Sequence, residues 1–421
     1  MRIVHLSNSD LEGGAARAAY RLHSGLRRGD CDSVMLVKRR SGNDPTVTQF
    51  VPPMTLPHRV RRRVRRSLIQ RSFARYRPAL GSGFEMFTDD RSEHGRDVLE
   101  QLPPSDVVHL HWVAGMFDFG AFFPSVPARV PVVWTVHDMN PFTGGCHYDL
   151  GCGRYVEGCG RCPALGSNRV RDLSRAILRR KLQALQRVDP ARLHVVTPSR
   201  WLHGEALRAG PTLGRFPMSV IPYGLDLEAF APRDRAAARH LLGLPQEAHV
   251  VLFVADFLDN ARKGFAFMAE ALRDLEEVDR LLLVSAGRGS PVLDGHVPHA
   301  HLGFVGNDRL LSLVYSAADL FVLASLQDNL PNTALESLAC GTPVVGFAVG
   351  GIPDIVQDGV TGFLVPPLDV GDLRAAIVEG LRDPARRARM GAVGRHVAID
   401  QYGLRLQTER YLTLYASMSA D

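Results

Sequence analysis

The chain of 421 residues lacks any run of about 18 consecutive apolar residues, the length that a helix needs to cross a bilayer. It also lacks an apolar leader, because a strand is predicted already at Arg2–Leu6, so we expect no signal peptide and a cytosolic protein. Cysteine is scarce, with six residues, and aromatic residues make up 7% of the chain. The composition, 45% hydrophobic and 22% charged, is that of a globular protein, and the length predicts two domains.

Charge is divided unevenly along the chain. Residues 1–230 hold 33 Lys and Arg against 21 Asp and Glu, whereas residues 231–421 hold 17 against 23, so the net charges are +12 and −6. A basic first half indicates an anionic partner there, such as a membrane surface, a lipid phosphate or nucleic acid.

The basic character is strongest in residues 58–77, which contain nine arginines. Apolar residues recur there at nearly helical spacing: Val60, Val64, Leu68 and Phe73. A narrow apolar stripe on a cationic helix is typical of helices that lie on an anionic bilayer. No nucleic-acid reading module or interleaved aromatic set accompanies the charges, so we expect peripheral contact with the inner face of the cell membrane and no nucleic acid. A solvated surface helix is the alternative.

Four of the six cysteines fall in one loop, residues 144–163: Cys146, Cys152, Cys159 and Cys162. Disulfides are disfavoured in a cytosolic protein, whereas four thiolates can complete a tetrahedral zinc site. The final C-x2-C pair suits such a site, although the gaps of five and six residues are unlike a zinc ribbon. The loop is therefore predicted to hold a structural zinc ion, with His147 able to replace one cysteine; free buried thiols are the alternative.

The stretch from Leu320 to Val345 predicts a strand, a loop and a helix. An apolar run, Leu320–Ala324, is followed by a polar segment, and Thr333–Ala339 has helical periodicity. A helix that begins after the carboxyl end of a buried strand favours a phosphate at its N-terminus. Asp328 and Glu336 can face the same ligand, and carboxylates accept paired hydrogen bonds from the vicinal hydroxyls of a ribose or hexose. The stretch therefore predicts a nucleotide-sugar site.

Together with ACGTPVV and GGIPDIVQDGVTGFLVPP (Gly350–Pro367), this stretch resembles the donor-site signature of family-4 retaining glycosyltransferases of the GT-B fold. The resemblance implies an α/β protein of two Rossmann-like doubly wound domains that face a cleft. It implies an acceptor-binding domain over 1–230, a nucleotide-sugar-binding domain over 231–400, and a helix over 401–421 that returns to the first domain.

The resemblance also implies roles for individual residues. Asp328, where the family usually has Glu, would contact hydroxyls of the transferred sugar, and Glu336 would hold the ribose. His137, at the end of a strand predicted over 130–137, would contact the donor sugar. Further residues implied at the donor are the loop glycines Gly13 and Gly14, the diphosphate-binding cations Arg262 and Lys263, the base-binding Phe304 and Val305, and Asn329, Leu330, Asn332 and Thr333.

The function implied is retaining transfer of a hexose from a UDP- or GDP-linked donor to an acceptor, with a lipid-linked glycan or another cell-surface polysaccharide precursor expected. No cofactor is required if cations and a helix N-terminus neutralise the diphosphate. A nucleotide-sugar epimerase or hydrolase of the same fold is one alternative. A non-catalytic anion-binding module is another, although such a module would not need Asp328, Glu336 and Lys263 together.

Overall fold

The computed structural model describes residues 1–80, 86–273, 275–290 and 297–419, and the chain divides into two compact units. The first unit comprises Met1–Ile221 and Thr408–Asp421, and the second comprises Pro222–Gln407. The last two residues of the predicted terminal helix, 420 and 421, lie outside the described residues.

The first unit alternates strands and helices. Its strands are β1 (Arg2–Ser9), β2 (Asp32–Arg39), β3 (Val47–Gln49), β4 (Val107–Leu110), β5 (Val132–Thr135), β6 (Leu193–Thr197) and β7 (Met218–Val220). Its helices are α1 (Gly14–Arg28), α2 (Leu56–Phe73), α3 (Arg77–Leu80), α4 (Phe119–Phe122), α5 (Leu173–Leu185) and α6 (Arg200–Arg208), to which the C-terminal α13 (Leu404–Ser419) is added from Thr408 onwards.

The seven strands described in this unit form one parallel sheet in the order β3-β2-β1-β4-β5-β6-β7. The central strands β4 and β5 are mostly apolar and are buried along their whole length, as expected for strands covered on both faces. The chain winds in opposite directions from β1 and from β4, so the switch in strand order falls between them. In open α/β sheets ligands bind outside the carboxyl ends of the strands at such a switch.

The second unit repeats this plan. Its strands are β8 (His249–Phe257), β9 (Leu281–Arg288), β10 (His299–His301), β11 (Leu320–Leu323), β12 (Val344–Phe347) and β13 (Gly362–Val365). Its helices are α7 (Arg235–Leu241), α8 (Phe265–Leu272), α9 (Asp308–Ala317), α10 (Asn332–Ala339), α11 (Val370–Arg382) and α12 (Pro384–Tyr402). The six strands among the described residues are parallel, in the order β10-β9-β8-β11-β12-β13, with the switch between β8 and β11. The predicted α/β class, two Rossmann-like doubly wound domains, is confirmed.

The C-terminal part of the chain forms two helices, α12 and α13, that are separated at Gly403. Gly403 is extended and forms a bridge with Leu225, whose backbone N–H bonds to the Tyr402 carbonyl at 2.8 Å. Leu404 N–H bonds in turn to the Leu225 carbonyl at 2.8 Å. Residues 222–230, which we expected to belong to the first domain, therefore hydrogen-bond within the second unit.

Helix α13 completes the core of the first unit. Tyr411 and Tyr415 are buried against apolar residues of the sheet such as Ile3 and Val133. The Tyr415 hydroxyl lies 2.7 Å from Nδ1 of the buried His109. Within the described ranges, no helix combines the length and the apolar character that crossing a bilayer requires.

Helix α2 has no buried residue; Phe73 at its end packs against the cluster around Tyr76, and most of its other apolar residues face solvent. Four of them are spaced four residues apart on one ridge and are 52–72% exposed: Leu56, Val60, Val64 and Leu68. The ion pairs of Arg61 with Asp97 and of Arg66 with Glu93 attach α2 to the rest of the unit. The predicted basic helix therefore exposes an apolar ridge that is flanked by arginines.

Candidate active site

A buried carboxylate with two cations occupies the loop between β11 and α10. The Asp328 side chain is 8% exposed, and its Oδ2 lies 2.6 Å from Lys263 Nζ and 3.5 Å from a guanidinium nitrogen of Arg262. Burial raises the pKa of Asp328, but the positive charges of Lys263 and then Arg262 outweigh it and hold the pKa below its usual value. The three groups together carry one net positive charge, which favours an additional anion.

The turn before α8 brings Lys263 to Asp328, although 65 residues separate them. The Asn260 side chain accepts the Arg262 N–H at 3.0 Å and starts a 3-10 turn over Ala261–Lys263. Gly264 ends this turn at φ 76°, and a Cβ there would lie 1.8 Å from the Ala324 carbonyl oxygen. Only glycine allows this close approach between the two loops.

A second glycine contact supports Asp328 from the other side. Gly350 has φ 56°, and a Cβ there would lie 2.0 Å from the Asp328 carbonyl oxygen. The same oxygen accepts the Gly351 N–H at 2.9 Å. The GGIP segment thus holds the backbone of Asp328, and its two glycines are explained by packing within the second unit.

Glu336 lies on α10 and is only 3% exposed. Its Oε2 accepts the Tyr315 hydroxyl of α9 at 3.1 Å. Asn329 and Leu330 are buried, whereas Asn332 and Thr333, in the first turn of α10, are half-buried. The N-cap residue is Pro331 and the first turn has no acidic residue, so the N-terminus of α10 suits an anion.

A cation between two aromatic rings lies at the carboxyl ends of β8 and β9. The Arg288 guanidinium carbon is 3.8 Å from the ring centroid of Phe304 and 5.4 Å from that of Phe257. Arg288 also pairs with Asp256. Phe257 and Phe304 are exposed and Val305 is half-buried. The predicted base-binding loop therefore presents an exposed ring that is backed by a guanidinium, which is a surface suited to stacking.

In the first unit, His137 lies two residues beyond the end of β5 and is 7% exposed. Its Nε2 is 3.1 Å from Nδ1 of His111, whose Nε2 is 2.9 Å from Nδ1 of His5. The three imidazoles form a buried chain that leads from the centre of the sheet to its carboxyl edge. Burial lowers the pKa of His137 to about 4, with a small opposing effect of Asp138, so the ring is neutral near pH 7.

The neighbouring Asp138 is also fixed. Its Oδ2 accepts hydrogen bonds from Trp112 Nε1 at 2.7 Å and from His147 Nδ1 at 2.6 Å. Burial raises the pKa of Asp138, but the effect of His147 and these hydrogen bonds lowers it overall. Nε2 of His147 lies 3.0 Å from the Thr88 hydroxyl, so both ring nitrogens already have partners within the protein.

The remaining predicted residues of the first unit are the loop glycines and the cysteines. Helix α1 begins at Gly14, and Gly13 has φ 88° with open space around it. Cys146, Cys152, Cys159 and Cys162 are brought together and line one pocket. His137 and these six residues thus belong to the first unit, and all other predicted site residues belong to the second.

The sequence-based interpretation missed the buried histidines that hold His137 in place. It assigned no site role to His5, His109, His111 or Lys181. His109 and His111 occupy alternate positions at the end of β4, and His5 on the adjacent strand β1 pairs in register with His109, a pattern that could have indicated contact. Lys181, which is fully buried, donates to the Thr143 carbonyl at 3.2 Å, and burial lowers its pKa to about 8.

Comparison with solved structures supports the α/β fold of two Rossmann-like domains that the two sheets define. Sucrose-phosphate synthase from Thermosynechococcus elongatus aligns with a TM-score of 0.70 over 100% of this chain and 99% of its own, at 21% identity. Anabaena HepE, solved in complex with UDP-glucose, aligns with a TM-score of 0.68 over 99% and 100%, at 16% identity. The fold is GT-B, with two Rossmann-like domains.

Sequence comparison places the chain more closely. Residues 248–383 match the family described as "Glycosyl transferases group 1". The D-inositol 3-phosphate glycosyltransferase of Mycobacterium sp. (strain KMS) is 34% identical over 303 residues, which are 68% of this chain and 61% of that protein. The curated relatives are matched over about half of their own length, from 43 to 61%. The second unit thus contains a domain of the group 1 glycosyltransferase family.

Proposed function

We propose that the protein transfers a hexose from a nucleotide-sugar donor to an acceptor hydroxyl, with retention of configuration. The observation that carries this proposal is the buried Asp328 with its two cations, next to the uncapped N-terminus of α10. A carboxylate that can accept sugar hydroxyls lies there beside a net positive charge that suits a diphosphate. Family membership and the UDP-glucose found in HepE support the same ligand class.

Each group has a distinct role in this proposal. Lys263, assisted by Arg262, neutralises the donor diphosphate, so that no metal is required for catalysis. Asp328 accepts hydrogen bonds from the transferred sugar, and Glu336 accepts them from the ribose. The ring of Phe304 and the backbone near Val305 contact the base. In the first unit, Gly13 and Gly14 are assigned to the phosphate and neutral His137 to a sugar hydroxyl.

In the reaction, the bond between the anomeric carbon and the diphosphate oxygen breaks, and the acceptor oxygen bonds to the anomeric carbon on the same face. The leaving phosphate oxygen takes the acceptor proton. This arrangement differs from that of two-carboxylate glycosidases, in which a second acid attacks the sugar or activates water.

A donor screen tests the proposal. Purified protein is incubated with UDP- and GDP-linked hexoses, with no acceptor, with membrane lipid extract, or with inositol 3-phosphate. We expect release of nucleoside diphosphate that depends on one acceptor, and a product whose anomeric configuration, measured by NMR, equals that of the donor. Release with free sugar and no acceptor would instead identify a hydrolase. No turnover with any pair would contradict transfer.

For the acceptor, we propose a lipid-linked glycan or polysaccharide precursor at the inner face of the cell membrane. The exposed ridge of α2 carries this part of the proposal, because apolar residues flanked by arginines match an anionic bilayer in both hydrophobicity and charge. Each arginine near such a surface contributes about 1 kcal/mol, so a few give reversible binding. The relatives named for inositol 3-phosphate make a small phosphorylated polyol the competing acceptor.

Liposome co-sedimentation tests the membrane contact of α2. The exposed Arg59, Arg63 and Arg71 of α2 are changed to Gln, and a control variant carries the same change at the exposed Arg309, Arg382 and Arg389 of the second unit. We expect the parent and the control to bind anionic vesicles at low salt, and the α2 variant to bind at least about tenfold more weakly. Equal binding by both variants, or no binding by the parent, would rule out α2 as a membrane contact.

A further inference from the structure

The four cysteines of loop 144–163 line a single small pocket in the first unit. The pocket has about 20 Å³ of free space, which is room for one water-sized particle. Its other lining residues include Phe87, Tyr155 and Ser174. From this geometry we propose that Cys146, Cys152, Cys159 and Cys162 bind one structural zinc ion.

The backbone around the C-x2-C pair is held in a strained form that directs both sulfurs into one pocket. Cys159 and Arg161 have φ values of 57° and 47°, a left-handed conformation that costs of order 1–3 kcal/mol per non-glycine residue and persists only where the surroundings impose it. Between them, a Cβ on Gly160 would lie 2.2 Å from the Val170 carbonyl oxygen, and Gly160 N–H bonds to the Ser174 hydroxyl at 3.1 Å.

Cysteine binds a metal as the thiolate, so zinc binding would release the thiol protons. Four thiolates match the closed, all-cysteine ligand set of structural zinc sites, whereas a catalytic zinc keeps one position open for water.

Binding requires the loop to contract. Zinc–sulfur bonds of about 2.3 Å place tetrahedral sulfurs about 3.8 Å apart. Within the described residues, the groups of three ligand atoms closer than 4.8 Å to one another are His5–His109–His111 and His58–Asp97–Glu100, and the cysteines are not among them. In the first of these groups, both ring nitrogens of His109 already have hydroxyl partners at 2.7 Å.

The loop has little regular secondary structure, and it carries a residue next to the candidate active site. Among its described residues, regular structure is limited to 3-10 turns such as Arg154–Glu157. The loop supplies His147, whose Nδ1 donates to Asp138 and whose carbonyl accepts the Met139 N–H at 2.9 Å. A zinc ion that fixes Cys146 would therefore also fix the segment that follows His137. The zinc site does not depend on the proposed transferase activity.

The test is the metal content of protein purified from zinc-supplemented cells without chelator. We expect about one zinc per chain for the parent and for Cys31→Ser, a matched control because Cys31 lies in the same unit outside the loop. Cys152→Ser and Cys159→Ser should retain less than about a fifth of that amount, because each removes one of four ligands. Zinc well below one equivalent in the parent, or parental zinc in both loop variants, would overturn the proposal.

Cobalt substitution protects the test against variants that fail to fold. The full-length parent, stripped of metal and loaded with Co²⁺, should show the intense visible bands of a tetrahedral thiolate site together with a sulfur-to-cobalt charge-transfer band. If elemental analysis finds zinc in the parent but the cobalt-loaded protein lacks these thiolate bands, the metal lies elsewhere and the cysteine site is rejected.

Discussion

Replacing Lys263 by methionine separates two effects of this lysine, the pairing of Asp328 and the attraction of a phosphate. The Lys263–Asp328 contact at 2.6 Å is a charge-assisted hydrogen bond to a carboxylate that is 8% exposed, and such bonds contribute about 1.5–3 kcal/mol. Arg262 remains at 3.5 Å, so we expect a loss of about 2 kcal/mol in the free energy of unfolding of the second unit at pH 7. For a unit of this size, the melting temperature should fall by about 4–8 °C.

The loss should depend on pH with a defined sign. The pKa of Asp328 is lower in the folded protein than in the unfolded chain, where it is about 3.9. The stabilisation by Lys263 is therefore complete above that unfolded value and disappears as the pH falls through the folded value. Melting curves of the parent and of Lys263→Met should converge at strongly acid pH. A constant difference down to the lowest pH would contradict the ion pair as its cause.

Binding of nucleoside diphosphate isolates the second effect. Calorimetry with UDP or GDP should show that Lys263→Met binds at least about tenfold more weakly, whereas Asp328→Asn, which removes a negative charge, binds no more weakly than the parent. The double variant Lys263→Met/Asp328→Asn decides between the two roles. If it binds as weakly as Lys263→Met, Lys263 contacts the phosphate. If it binds like the parent, Lys263 only neutralises Asp328 and the donor assignment is wrong.

Three further changes probe the two units. Glu336→Gln keeps an acceptor for the Tyr315 hydroxyl and should lower the rate of transfer about 100-fold with little loss of stability. The control Tyr315→Phe should lower the free energy of unfolding by about 1 kcal/mol and leave transfer unchanged. Equal transfer by the parent and Glu336→Gln would exclude the glutamate from the site. Gly264→Ala should lower the melting temperature of the second unit more than the control Gly243→Ala does, because Gly243 has φ 66° but open space around it. Similar shifts in both variants would show that the contact of Gly264 with the Ala324 carbonyl is unimportant. Burial lowers the pKa values of His5, His109, His111 and His137, so the unfolded chain binds more protons than the folded one near pH 6. The free energy of unfolding of the first unit should therefore fall by about 1.4 kcal/mol per pH unit for each histidine as the pH drops below about 6.5. A melting temperature that stays constant from pH 7 to 5 would contradict their burial in neutral form.

Local sequence was sufficient where one short segment specifies its own structure. The strand and helix around Asp328 were expected over Leu320–Ala324 and Thr333–Ala339 and are found over Leu320–Leu323 and Asn332–Ala339. An apolar run, a proline-containing loop and helix-forming residues each act over a few residues, so their order predicts a strand, a turn and a helix at the edge of a parallel sheet. The two doubly wound domains were implied by the resemblance of this stretch and the segments after it to family-4 glycosyltransferases.

Long-range contacts were decided only by the tertiary structure. Lys263 and Asp328 are 65 residues apart, and their pairing depends on Gly264 fitting against the Ala324 carbonyl. The buried histidines join β1 to residues more than 100 positions later, and α13 adds a tyrosine 306 residues from His109. Sequence spacing carries no information on which side chains meet across a sheet, because the partners are brought together only when the strands pair and the core excludes water. The amino-acid sequence by itself thus determined the kinds of groups available for the proposed sugar nucleotide, and folding decided which of them are buried, charged and in contact.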